Sequence, residues 1–366
     1  MESQHGPRRY PDRLSPKGNS SNRAAPTKLP LHHRSPVSSL WRRVVGRREV
    51  GLACVIALVM LSVMLFNPRM LSGQNLTAIA LDAALLMIVA VAQMILLLTR
   101  NIDLSVASVI GLAAYGSASF MRSHLDVSVL AGVGVACAIG LGCGVLNGLV
   151  VALGRVPAIV VTLGTLAVFR GIDSLWAGGK QVSADQVPQA WLDMTGLKVV
   201  GIPSIVLIAF VTLFVIAQAL RRLSAGRELF AIGSNPEGAL LIGIPVTALV
   251  LGAFAVAGLL AGFDGALWAS RYATIDARVA VGFELTVIAS VVVGGVAIRG
   301  GAGTVLGVGF GCLTLLVIQN GLTLVRVDPL WLQGVYGVVI LLAVGVDTLM
   351  ARQTRYEEGG HESRRH

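Results

Sequence analysis

The chain has 366 residues, of which 55% are hydrophobic and only 13% charged, with 43 glycines and a mean hydropathy of +0.77. A soluble domain carries about 25% charged residues and about 7% glycine, so this composition excludes a soluble globular fold; the length accommodates roughly ten membrane spans of about 20 residues each. The net charge of +10 is concentrated at one end, because residues 1–49 hold eleven Lys/Arg against three acids.

The first 49 residues are rich in Pro, Ser and Arg and read as a basic, disordered cytoplasmic tail. No aromatic interleaving or folded module follows, which argues against a nucleic-acid arm. The first 40 residues contain no apolar core of a signal peptide, so no cleavable leader is expected. Arg42, Arg43, Arg47 and Arg48 precede the first apolar run, where positive-inside anchors belong.

An all-α integral membrane fold of about ten spans is expected, forming a permease domain over 50–350. The predicted spans are 50–66, 76–99, 102–121, 128–152, 158–177, 203–220, 246–268, 283–298, 303–325 and 330–350, followed by a cytoplasmic tail at 351–366. An even number of spans puts both termini on one side. The basic tails, with Arg352 and Arg355 after the last span, make that side the cytoplasm. The longest outer loop is then 178–202 and the longest inner loop 221–245.

The third and fourth spans begin a pattern that returns in the eighth and ninth. "IDLSVASVIG" (102–111) is matched by "FELTVIASVVVGG" (283–295), and "NGLVVALGRVPAIV" (147–160) by "NGLTLVRVDPLWL" (320–332). Both pairs lie five spans apart. An odd offset gives the two copies opposite orientation, the inverted repeat of many transporters. Gly140, Gly144 and Gly148, and again Gly303, Gly307 and Gly311, recur every four residues, which lines one helix face for close backbone packing. A nucleotide loop is the sharper reading of such glycines, but no strand–turn–helix context accompanies them.

Ionisable residues at membrane depth are Asp82, Asp103, Arg170, Asp173, Asp264 and Glu284. Asp103 and Glu284 stand at span starts, where a carboxylate meets a helix N-terminus. Arg170 and Asp173, three apart on one helix face, are placed to pair. Gln93, Asn147, Thr162, Gln319 and Asn320 are polar residues within spans. They suit a passage for a hydroxylated solute, or equally hydrogen bonds between helices. Cys54, Cys137, Cys143 and Cys312 sit in apolar runs and read as small hydrophobes, and all six histidines lie outside the spans, so no metal site and no cofactor are expected.

The stretch "GRELFAIGSNPEGALLIGIP" (226–245) is the most polar interruption of the second half. Asn235 is a helix cap, Pro236 fits the first helical position and Glu237 complements the N-terminal dipole. Gly243 and Pro245 end the helix, and Leu240, Leu241 and Ile244 give it an apolar face. The chain has no phosphate-binding loop: "AGGKQV" (177–182) lacks the first glycine and the hydroxyl residue of that motif, and "LSGQN" (71–75) reads as a turn leading into a helix. No enzymatic chemistry is expected, and no catalytic residue is assigned.

From about residue 50 to 350 the sequence resembles the permease subunits of ribose-type sugar ATP-binding-cassette importers. The segments that carry the resemblance are "NIDLSVASVIGL" (101–112), "VPAIVVTLGTLAVFRGI" (156–172), "GRELFAIGSNPEGALLIGIPV" (226–246), "GFELTVIASVVVGGVAIRGGAGTVLG" (282–307) and "VDPLWLQGVYGVVILLAV" (327–344). "LWASRYATID" (267–276) looks most like rhamnose-type permeases, with autoinducer-2 permeases close. One departure bears on the substrate: Arg100-Asn101 and Ala107 stand where many such permeases have glycines.

The resemblance implies import of a monosaccharide or related hydroxylated solute across the bacterial inner membrane. The implied partners are separate ATPase subunits, an extracytoplasmic solute-binding protein and a second copy or sister permease, all within membrane lipid. It further implies that the 226–245 segment docks on the ATPase, with Gly233, Asn235, Glu237, Leu240 and Gly243 as coupling residues. Two readings without an ATPase stay open: an ion-coupled carrier using Asp82 and Asp264, and a passive channel. Cysteine-accessibility labelling is expected to place positions 39 and 355 in the cytoplasm and position 186 outside; finding 186 and 234 on one side would remove the ten-span topology.

Overall fold

The computed structural model describes residues 48–327 and, beyond them, only positions 331, 334, 337, 338 and 341. The expected N-terminal tail up to residue 47, the tenth span and the C-terminal tail fall outside the described residues. Within them the helices are α1 (Arg48–Phe66), α2 (Gly73–Leu98), α3 (Val106–Ser123), α4 (Val129–Ala152), α5 (Ala158–Ala177), α6 (Gln189–Gly196), α7 (Ser204–Arg222), α8 (Ser224–Ser234), α9 (Pro236–Leu241), α10 (Val246–Tyr272), α11 (Phe283–Val293) and α12 (Val305–Leu324). A two-residue hairpin, β1 (Lys198–Val199) and β2 (Ile202–Pro203), separates α6 from α7.

The caps are local and follow from sequence. Ser72 caps α2, its hydroxyl accepting from the Asn75 N–H (3.3 Å), so "LSGQN" is the turn into a helix. Thr304 caps α12 by accepting from the Gly307 N–H (3.0 Å). In the β1–β2 turn, Val200 and Gly201 both have positive φ (53° and 80°), the requirement of a tight two-residue hairpin.

Among the described residues seven helices are long and apolar enough to cross a membrane: α1, from Glu49, and α2, α4, α5, α7, α10 and α12. Of the nine expected spans within the described residues, the two outside that set are α3 and α11, the pair that the sequence repeat matches. Span 3 was expected from residue 102, but the chain is non-helical from Asn101 to Leu104 and the helix starts at Val106. Span 8 was expected to reach 298, but α11 ends at Val293. Its eleven residues rise only about 16 Å against a hydrocarbon core of about 30 Å. Of the two, α11 is too short to cross alone, whereas α3 is an unbroken 18-residue helix that starts four residues later than expected.

The two run in opposite directions. The segment after α11 brings the Gly301 N–H to the Leu98 carbonyl (3.1 Å) at the end of α2, just before α3 begins. So α11 finishes at the end of the bundle where α3 starts, as an inverted repeat requires. Other neighbours repeat in kind: α3 packs on α4 as α11 packs on α12, and α10 packs on α3 and α4 as α2 packs on α11 and α12. The centre of the bundle is α2, whose residues from Ala83 to Leu98 are buried throughout.

The glycine spacing forms a seam. Gly140 and Gly144 of α4 meet Gly258 and Gly262 of α10 backbone to backbone. A Cβ on Gly140 would lie 2.6 Å from the Gly262 nitrogen and nearer still to the Gly258 carbonyl. Gly148 continues the stripe against Leu251 and Phe254. In the second half Gly307 and Gly311 of α12 press on Gly294 and on the Ser290 carbonyl, while Gly303 precedes the helix and does not extend the stripe. Lipid supplies no hydrophobic drive between helices, so van der Waals contact at such small-residue seams holds the bundle.

At the α6 end, Arg271 donates to Asp82 from Nη2 (2.7 Å) and Nε (3.3 Å), and the Tyr272 hydroxyl also reaches Asp82 (3.3 Å). Span 7 was expected to stop at 268; the helix continues to Tyr272 and carries Arg271 to this pair. Gly140→Ala is expected to lower the unfolding temperature in detergent, since overpacking a tight contact costs about 1–3 kcal/mol. Gly142→Ala, where a Cβ meets nothing within 4 Å, is expected to leave it unchanged or slightly raised.

Candidate translocation and coupling site

The break before α3 is held by residues from three other helices. Gln93 of α2, its amide orientation assigned from its partners, donates to the Asp103 carbonyl (3.2 Å) and accepts from the Asp103 N–H (3.1 Å). The Asp103 carboxylate accepts from the Ser105 N–H (2.7 Å) and hydroxyl (2.6 Å). Asn147 of α4 donates to the Ser105 oxygen (2.8 Å), and the Thr162 hydroxyl of α5 reaches the Ile102 carbonyl (3.2 Å) besides its own Ala158 carbonyl (2.8 Å). Gln93, Asp103, Ser105, Asn147 and Thr162 are all buried. Non-helical backbone at membrane depth is tolerated only where protein or water satisfies it, and these side chains supply that satisfaction here.

Three of the five polar candidates for a passage, Gln93, Asn147 and Thr162, therefore converge on one segment and spend donors or acceptors on it. The other two lie near the opposite end. Asn320 of α12 exchanges reciprocal amide bonds with Asn75 at the start of α2 (2.9 Å each), and Gln319 is its neighbour in sequence. The structure brings the candidates together as two groups, not one.

The segment before α11 is the counterpart. Ile275 and Ala280 are buried in it, and Val182 and Ile275 bridge antiparallel across the loops. Arg170 of α5 donates to the Val279 carbonyl (2.7 Å) and the Ala277 carbonyl (3.2 Å). Arg170 was expected to pair with Asp173; the two charges do attract, but Arg170 spends its hydrogen bonds on this segment and both Asp173 oxygens are buried without one. Gly111 of α3 lies directly beneath, where a Cβ would sit 3.1 Å from the Val279 carbonyl. Glu284 stands in the first turn of α11, behind Gly282 at φ 83°, as expected of a helix-terminus carboxylate. Sequence reasoning did not find the role of Arg170, although a charge inside a span was the signal.

The 226–245 stretch forms two helices, α8 and α9, where only the second was expected. Asn235 separates them. Its Oδ1 accepts from the Gly238 N–H (3.0 Å), and Pro236 follows at the first helical position. At the far end the Ile244 N–H donates to the Ala239 carbonyl (3.0 Å) and the Gly243 N–H to the Leu240 carbonyl (3.0 Å), with Gly243 at φ 80°. That pair of bonds is the Schellman closure. Ala239 faces inward, Glu237 is exposed, and Leu240, Leu241 and Ile242 are 62%, 88% and 76% exposed. Gly233 is buried where α8 crosses the end of α2 and residues 300–301. A cavity of about 670 Å³ opens between α9, the break at Arg100–Ile102 and the α4–α5 turn.

The family model described as "Branched-chain amino acid transport system / permease component" matches residues 75–344. The chain belongs to this permease family. Among its relatives, the probable ABC transporter permease protein y4mJ of Sinorhizobium fredii is 36% identical over 302 residues, covering 82% of this chain and 89% of the relative. The autoinducer 2 import system permease protein LsrC of Escherichia coli K12 is 32% identical over 311 residues, covering 83% and 88%. LsrC of Enterobacter sp. is 32% identical over 326 residues, covering 88% and 93%. No solved structure matches. The protein is thus a multi-pass membrane permease subunit of an ATP-binding-cassette transporter, and permeases of this family work with ATPase and solute-binding partners. Among the described residues no His, Cys, Asp and Glu cluster could hold a metal ion.

Gln93→Leu is expected to leave the Asp103 N–H and carbonyl buried without partners, at a cost of about 1–3 kcal/mol for each group. The check is thermal unfolding of the purified permease, in which Gln93→Leu should melt well below the native protein while still inserting in the membrane.

Proposed function

We propose that this chain imports a small hydroxylated solute, a rhamnose- or ribose-like monosaccharide or an autoinducer-2-like molecule, handed to it by an extracytoplasmic binding protein. Two copies, or this chain with a sister permease, enclose the path. Separate ATPase subunits power it by docking on α9 at the cytoplasmic face, and both chain termini lie on that face. The observation that carries the docking reading is α9 itself: six residues fixed by a cap at each end, with three consecutive apolar side chains turned to solvent. A helix that short is not stable alone, so its rigidity serves a partner. An apolar face needs something to cover it.

The solute class rests on the family resemblance and on the LsrC relatives, whose names specify autoinducer 2 import. The passage itself is expected along α3 and α11, which start at opposite ends of the bundle; helix ends of this kind build substrate sites in transporters. The rival of an ion-coupled carrier loses one of its two carboxylates, because Asp82 is tied to Arg271. It keeps Asp264, which is fully buried with neither oxygen bonded.

Leu240→Asp decides between these. It places a charge in the docking contact, where desolvation is costly, and touches no span. ATPase subunits should co-purify at a small fraction of the native yield and uptake should fall at least tenfold, with insertion unchanged. Full uptake by Leu240→Asp without a bound ATPase would return the carrier reading. Asn235→Ala should act in the same direction but less, since losing a helix cap costs about 0.5–2 kcal/mol.

A further inference from the structure

The α8–α9 segment is not simply hung from α7 and α10. Arg100, in the turn that ends α2, donates from Nε to the Gly233 carbonyl (2.7 Å) and from Nη2 to the Ser234 carbonyl (3.1 Å). These are the last two carbonyls of α8, which has no basic residue in its own last turn. A guanidinium from another element thus complements the negative end of the α8 dipole, and its fork fixes direction as well as distance.

Backbone contacts tighten the same point. Gly233 has no room for a Cβ, because the Leu98 carbonyl and the Gly301 nitrogen occupy the space. Gly301 in turn donates to Leu98 (3.1 Å) and abuts Ser234, and a Cβ on Gly300 would lie 2.7 Å from the Arg100 Cγ. Three segments interlock here: the turn leading to the break before α3, the end of α8, and the segment that follows α11. Arg100 itself adopts φ 64°, a left-handed conformation uncommon for a residue with a side chain. Asp103, the centre of the first break, is three residues on.

We propose that Arg100 is a positioning residue that transmits displacement of α9 to the helix break at Ile102–Ser105. The inference rests on the importer reading above, in which α9 is the part that the ATPase moves. A movement of α9 pulls on Asn235 and the adjoining Ser234. The Arg100 fork carries it to the turn at residues 99–101, and that turn is continuous with the segment that Gln93, Asn147 and Thr162 hold. Without the fork, α9 stays docked but the break is left behind.

The test uses the permease–ATPase complex, purified through a tag on the ATPase so that only assembled complex is read. A polarity-sensitive fluorophore is attached at Leu104→Cys, half-buried within the break, in a background lacking the four native cysteines. Emission is compared with and without ATP trapped by vanadate. Native Arg100 should give a nucleotide-dependent shift. Arg100→Gly, which accepts φ 64° without strain, should still co-purify with the ATPase, because the exposed face of α9 is untouched, but show a shift at least fivefold smaller. Arg100→Lys, with the charge but not the fork, should fall between. A purely structural role would lower the yield of complex while leaving the full shift in what assembles, and a full shift in Arg100→Gly overturns the proposal. If Arg100→Gly forms no complex, Arg100→Lys decides: a reduced shift supports the link and a full shift overturns it. No shift in the Arg100 protein itself overturns the importer reading, a result distinct from the failure of Arg100→Gly alone.

Discussion

A backbone that leaves helical geometry inside hydrocarbon must find partners for every N–H and carbonyl it frees, because each orphan costs several kcal/mol. This chain has non-helical backbone before α3 and again before α11, part of it packed inside the protein. The placement of its buried polar side chains follows from that requirement. Gln93 serves both backbone groups of Asp103, Thr162 serves Ile102, and Arg170 serves Ala277 and Val279. The carboxylate of Asp103 closes the ring by accepting from Ser105, which Asn147 holds from the far side.

One helix attends to both breaks. Thr162 and Arg170 lie eight residues apart on α5, roughly 12 Å along its axis, and reach the two segments that precede α3 and α11. The breaks are therefore not independent. Tilting α5 changes the support of both at once, whereas the turn at Arg100 addresses only the first. Two levers of different reach act on one site.

The elements that depend on neighbours in sequence were legible. Apolar runs set the spans, and Ser72 and Asn235 announced helix starts that the structure reproduces. The breaks were not legible, because "NIDLSVAS" reads as the beginning of an apolar helix and its partners lie in three other spans. Gln93, Asn147 and Thr162 were recognisable as candidates by being polar among apolar residues. Whether such a group lines a passage or braces a backbone depends on what lies across from it, and one-dimensional spacing does not carry that. Arg271 was missed for a simpler reason: span 7 was ended one turn early, which put the arginine in a loop and left Asp82 apparently unpaired. Arg100 had a visible signal, a bulky residue where glycines are usual, but its meaning required the φ of 64° and the two carbonyls beyond it.

The seam between α4 and α10 has a mechanical consequence. Where glycine meets glycine the surfaces carry no rotamers, so nothing in the contact can swing aside to let the helices slide. A shift along the axis would drive backbone into backbone at Gly258 and Gly262. The two helices are therefore locked against sliding past one another. The segments at 99–105 and 273–282 are short and are held by single side chains, mostly from α2 and α5 rather than from that seam.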